Sequence, residues 1–295
     1  MVPSPGLELH LDAFEVVGQS FGGAPGYLIT SPEYQMKRLL AGGLEKIYSL
    51  GKVFRRGEAG PHHNPEFTML EWYRANAGWQ TIADDIETLV TECARAVCGH
   101  TRIGALELAG PWERISVREL MARHAGIALD GDESVEALRQ KIAAAGHLIA
   151  SPREQGYRWD DLFFQLFLDE IEPHLGQTKP TLVYDWPRPL AALARKKPGD
   201  ERVVERFEVY AGGLELCNAF GELTCQGEQR ARLESDRRER KVRGLPDYPI
   251  DERFLNALSE MAPAAGIALG IDRLAMLLLG QSEITSVLPF AWSEL

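Results

Sequence analysis

The amino-acid sequence predicts an α+β domain, a mainly antiparallel sheet flanked by helices. Three observations point there. Strand-like runs are interspersed with helical ones, and neighbouring strands are joined as hairpins rather than as regular βαβ units. At 295 residues the chain can bury a full core. It is read as one domain over residues 1–295, with a helical insertion over about 80–175.

The elements follow in order. Leu7 to Val17 alternate apolar and polar residues, the period of a half-buried strand. Glycines around Gly22 to Gly26 make a turn, and Tyr27 to Thr30 form a short strand. Ser31-Pro32-Glu33 opens a helix: serine suits the N-cap, proline the first turn, and Glu33 the positive end of the dipole. Gly42-Gly43 stop it. Ile47 to Phe54 and Phe67 to Tyr73 read as two strands around a polar loop. From about Gln80 to Leu175 the pattern turns helical, as in Ile82-x-x-x-Ile86 and Trp159 to Ile171. Strands resume at Thr181 to Tyr184, Val203 to Tyr210 and Leu214 to Phe220. Glu228 to Arg243 is a solvated helix whose bases are interrupted by acids. Gly266 to Ile271 is a strand feeding a helix at Asp272 to Leu279, which Gly280 closes.

Composition narrows the function classes. The formal net charge of −11 argues against a broad basic surface for nucleic acid, so tRNA is not the expected partner. No apolar run approaches the length of a membrane span, and the N-terminus lacks a signal-peptide layout, so a cytoplasmic protein is expected. Cys93, Cys98, Cys217 and Cys225 show no zinc-ligand spacing and read as structural thiols.

Four groups of residues carry chemistry. In the hairpin Val203 to Phe220, a turn centred on Ala211-Gly212 would set Glu208 directly opposite Glu215. Like charges so placed repel, and Mg²⁺ would compensate them; two solvated glutamates on an open face fit the pattern equally. On the second strand Glu71 and Tyr73 point to one side, where they could hold an ammonium group or form a cross-strand salt bridge. Arg55 ends a strand before a loop with Arg56, Glu58, His62 and His63, a clamp for a phosphate chain or an ordinary charged loop. Gly266 to Arg273 brings small residues and an arginine to a helix N-terminus, where a flat anionic ligand or a tight corner would both be at home.

Together and in this order the four resemble the class II aminoacyl-tRNA synthetases. Phe54-Arg55 through His63-Asn64-Pro65-Glu66-Phe67-Thr68-Met69-Leu70-Glu71-Trp72-Tyr73 looks like motif 2 in its lysine-type form. Arg206-Phe207-Glu208, Gly213-Leu214-Glu215-Leu216-Cys217-Asn218 and Gly270-Ile271-Asp272-Arg273-Leu274 look like the metal-binding hairpin and motif 3. Ser31 to Leu40 and Gly266 to Gly270 are similar to the branch without an anticodon domain, which ligates lysine to elongation factor P. The resemblance implies an ATP-dependent ligase that makes an adenylate of lysine or (R)-β-lysine.

It implies roles as well. Arg55 and Arg273 are the catalytic arginines on the phosphates, and Glu208 and Glu215 hold Mg²⁺. Arg56, Glu58, His63, Asn64, Phe67, Glu215, Leu216 and Gly270 surround ATP. Ser31, Glu33, Glu71, Tyr73, Asn218, Glu222 and Ala268 surround the amino acid. Two departures stand out. The family's Arg-x-Glu reads here Arg55-Arg56-Gly57-Glu58, and the motif 1 region that builds the family's dimer is largely missing before Pro5. A homodimer is thus an expectation from the family alone. Ala268 stands where the lysine-type synthetases carry glycine, and its methyl is expected to favour an amino group on the β-carbon.

Overall fold

The computed structural model of the chain describes residues 1–6, 10–21, 23–149 and 156–295. Two compact units form, Met1–Ile82 with Glu222–Leu295, and Ala83–Gly221. The main elements are β1 (Glu15–Phe21), β2 (Ala24–Tyr27), α1 (Glu33–Ala41), β3 (Lys46–Phe54), β4 (Glu66–Ala75) and α2 (Trp79–Cys98). Next come β5 (Glu113–Ser116), α3 (Val135–Ala144), α4 (Trp159–Leu166), β6 (Thr181–Pro187), β7 (Asp200–Ala211) and β8 (Leu214–Gly221). The chain ends with α5 (Gln226–Val242), α6 (Glu252–Leu258), β9 (Ala264–Gly270) and α7 (Ile271–Leu279). Among the described residues no helix is long and apolar enough to cross a membrane.

The first unit is built on antiparallel strands in the order β3–β4–β9. The period-2 alternation of β4 buries Met69, Glu71 and Tyr73 on one side. Register then fixes their neighbours: Tyr73 lies opposite Ile47 and Gly266, and Glu71 opposite Ser49 and Ala268. Helix α1 packs on α6, where Tyr34 and Phe254 stack at 3.9 Å and 9°. Burying a ring such as Phe254, fully enclosed here, contributes about 1.5–3 kcal/mol. On α5, Arg240 is 1% exposed. It donates to Leu11 O, Pro246 O and the Asp12 carboxylate.

The second unit holds strands in the order β5–β6–β7–β8, with β5 parallel to β6 and the other pairs antiparallel. Phe163 and Phe167, from α4 and the wider turn after it, stack on each other and meet Trp186 of β6 at tilted angles. Ile115, Leu120 and Val204 complete that core.

Several expected elements differ. Leu7, Glu8 and Leu9 lie outside the described residues, as does Gly22, and the N-terminal strand is Glu15–Phe21. Residues 11–13 are held by side chains instead, Leu11 O by Arg240 and Ala13 N–H by the Tyr248 hydroxyl. The next strand is Ala24–Tyr27 rather than Tyr27 to Thr30. The tract 80–175 is not purely helical. β5 pairs with β6, and Ser116 with Glu119 then forms a capping box that starts the next helical turn. Helix α1 starts at Glu33, whose N–H reaches Ser31 Oγ at 3.4 Å. The Asp272 carboxylate of α7 accepts the Thr68 N–H of β4 at 2.6 Å, tying helix to strand.

Candidate active site

Five side chains of the first unit meet in a buried polar cluster. Helix α1 supplies Glu33 and, one turn later, Lys37; β4 supplies Glu71 and Tyr73. Glu222 follows β8, fixed by its N–H on Ala264 O at 2.9 Å. Lys37, Glu71 and Glu222 are each 1% exposed. Lys37 Nζ lies 2.5 Å from Glu33 Oε1 and 2.5 Å from Glu222 Oε2, and the Tyr73 hydroxyl donates to Glu71 Oε2 at 3.2 Å. A Cβ at Gly266 would stand 2.2 Å from the Tyr73 ring and 2.9 Å from Glu222 Oε1. Only glycine lets that ring lie on the strand.

The electrostatics follow from burial and crowding. Burial, and then the Glu33 carboxylate, hold the Glu71 carboxyl well above the usual carboxylate range, against the pull of Tyr73 and Lys37. Burial, and then Glu71, push the Tyr73 phenol up as well. Burial alone would lower the Lys37 ammonium, but Glu222 and Glu33 outweigh it and the net shift is upward. The cluster already encloses one cationic nitrogen, Lys37 Nζ, between two carboxylates.

A second group surrounds the β3–β4 loop. Arg55 ends β3 with its guanidinium 5.1 Å from the Phe67 ring centre and 3.7 Å from Glu58. Displacing the acid to Glu58 therefore still leaves it beside Arg55. Arg273, in the first turn of α7, reaches His62 O at 3.3 Å and His63 Nε2 at 2.5 Å. Burial, and then Arg273, lower the His63 imidazole, so the neutral ring accepts from the guanidinium. Two arginines beside a helix N-terminus suit a polyphosphate.

Other expected residues have different neighbours. Arg56 is tied to Asp12 through both backbone and side chain. Asn64 spends both ends of its amide, donating to Glu66 O at 2.6 Å and accepting Trp292 N–H at 2.9 Å. Gly270 lies opposite Met69 and precedes the first turn of α7, and Ala268 lies opposite Glu71 on the same face of the sheet.

In the second unit the β7–β8 hairpin corrects one expectation. Glu208 lies opposite Asn218, and Glu215 opposite Tyr210; the two glutamates are not paired. The turn is Gly212-Gly213, both left-handed at φ 60° and 78°, and a bulge at Leu216 shifts the register. The bulge returns Glu208, Tyr210, Glu215 and Asn218 to one face. Glu208 is gripped there by Arg206 Nη2 and by the Tyr210 hydroxyl, each at 2.5 Å. Asn218 Oδ1 is buried without a hydrogen-bond partner. Carboxylates with a phenol between them and a buried amide oxygen form a hard donor set.

Comparison with known proteins fits this arrangement. The family model for tRNA synthetases class II (D, K and N) matches residues 10–294, and the chain belongs to that family. Similar relatives carry a more particular name. The elongation factor P–(R)-β-lysine ligases of Yersinia enterocolitica and Proteus mirabilis are each 42% identical over 288 residues, 96% of this chain and 83% of theirs. That of Klebsiella pneumoniae is 41% identical over 292 residues, with the same coverage.

The sequence reading gave no role to Lys37, Arg206 or Tyr210, and it read Gly266 as room for a ligand rather than for the Tyr73 ring. Lys37 had a signal: it follows Glu33 by four residues, one helical turn apart on the same side of the helix. Arg206 and Tyr210 alternate with Glu208 along one strand face, a period-2 pattern that could have been read directly.

Proposed function

We propose that this protein activates lysine or (R)-β-lysine with ATP and transfers it to a lysine side chain of elongation factor P. The observation that carries the reading is the buried set of Glu33, Glu71, Glu222 and Tyr73, which suits an amino acid with two ammonium groups. The shared name of the similar relatives supports the acceptor. Within the family, such activation uses ATP and yields AMP and pyrophosphate.

The amino acid's carboxylate oxygen attacks the α-phosphorus, and the bond to pyrophosphate breaks. The ε-amino group of the acceptor lysine then attacks the acyl carbon; an amide forms, AMP leaves and a proton is released. Arg55 would hold the α-phosphate and Arg273 the departing phosphates, donors whose charge is in place before negative charge develops. Glu33, Glu71 and Glu222 would orient the amino acid, with Tyr73 donating or accepting beside Glu71. Glu208 and Glu215 fit Mg²⁺, which takes one or two carboxylates and fills its shell from phosphates and water. When bound, the ion would neutralise phosphate charge.

The test is ATP–pyrophosphate exchange with single amino acids, followed by transfer of radiolabelled lysine or (R)-β-lysine to purified elongation factor P or to bulk tRNA. Exchange dependent on either isomer and label in the protein are expected. Exchange without amino-acid preference would overturn the activation, and label found only in tRNA would overturn the acceptor.

A further inference from the structure

We infer that Lys37 is a positioning residue of the amino-acid site, a resident ammonium that clamps Glu33 to Glu222 so that both carboxylates face the incoming substrate. The inference rests on the proposed reading of this cluster as the amino-acid pocket. Lys37 comes from one turn of α1 beyond Glu33 and reaches past it to Glu222, which the chain brings in from beyond β8. Both contacts are 2.5 Å, and the side chains of Lys37 and Glu222 are 1% exposed and that of Glu33 11%. A cation so enclosed is stable only while paired, and its two partners keep the ammonium charged.

Charge counting gives the clamp its consequence. Glu33, Glu71 and Glu222, once ionised, bring three negative charges, and Lys37 cancels one. Two negative charges then remain, which is the number of ammonium groups on a diamino acid. Without Lys37 the carboxylates would repel, and relieve the repulsion by taking up protons or swinging apart. Each leaves fewer fixed acceptors for the substrate. Lys37 touches none of the reacting atoms in this reading, so its removal should weaken amino-acid binding and leave the chemical step alone.

Lys37→Met keeps the aliphatic stem and deletes the charge. Assayed by ATP–pyrophosphate exchange, it is expected to raise KM for the amino acid about tenfold or more, with kcat at saturation and KM for ATP within about twofold of wild type. A thermal melt establishes that the variant is folded; if it is not, Lys37→Gln, which removes the charge and keeps a polar head, is measured with the same expectation. An unchanged amino-acid KM, or equal losses for both substrates, overturns the role of Lys37. Wild-type exchange that needs neither lysine nor β-lysine overturns the pocket itself, so the two failures are distinguishable.

Discussion

Ala268 and Glu71 face each other across two strands, and each makes its own demand on the substrate. The Ala268 methyl stands about 4.5–5.5 Å from the Glu71 Cβ, the ordinary spacing of a cross-strand pair. It narrows the space in which an α-amino group would meet that carboxylate. Ala268→Gly should therefore move the kcat/KM ratio toward α-lysine by about 1–3 kcal/mol, the usual value of one methyl in a pocket. A ratio that stays put assigns the methyl to packing. Glu71 governs pH dependence. Its folded carboxyl is held above the ordinary 4.5, chiefly by burial, so the ligand-free fold keeps a proton that the unfolded chain releases. The stability this contributes is present below the unfolded value and is lost as pH rises through the folded one. Substrate ammonium favours the carboxylate form, so amino-acid affinity should rise over that same interval. Melting and binding curves of Glu71→Gln against pH should be flatter than wild type in both respects.

At the level of elements, the strands and helices that carry the site were legible and their junctions were not. The run Phe67 to Tyr73 announces its face by alternation, and β4 buries Met69, Glu71 and Tyr73 accordingly. The β7–β8 hairpin was misregistered because its turn was centred one residue early; the bulge at Leu216, which leaves no mark in residue type, then moves Glu208 on to Asn218. Gly212-Gly213 does signal a two-residue turn, and centring it there would have displaced the Glu208–Glu215 pairing at once. Residues 11–13 misled for another reason. Their contacts come from Arg240 and Tyr248, far along the chain, which no local window contains. Gly266 offers the sharpest test of an element. An alanine there meets the Tyr73 ring at 2.2 Å, and overpacking of that kind costs about 1–3 kcal/mol. Gly266→Ala should lower the melting temperature and raise the lysine KM together; an unchanged melt would mean the ring moves freely.

For the whole chain, the net charge of −11 bears on what it can acylate. A net negative charge disfavours phosphate contacts to a folded RNA. Transfer to bulk tRNA should stay at background even at low salt, where such contacts are strongest; tRNA acylation that collapses as salt is raised would show a basic patch at work. Arg273→Ala is read by the same exchange assay, which reports the activation step. Loss of one well-placed donor costs about 2.7–4 kcal/mol of transition-state stabilisation, and full exchange in that variant would remove Arg273 from the phosphates.

The amide of Asn64 leads somewhere else. One end holds Glu66 O, where the loop after Arg55 enters β4, and the other the backbone of Trp292. Asn64 thus joins the Trp292 backbone to the loop between β3 and β4, and in the proposed reading of that loop as part of the ATP site the coupling is reciprocal. ATP should slow digestion of the protein by carboxypeptidase at Trp292, and protein already trimmed past Trp292 should bind ATP more weakly while its affinity for the amino acid is unchanged. The protease thus becomes a gauge of occupancy, readable by mass spectrometry without any assay of the reaction.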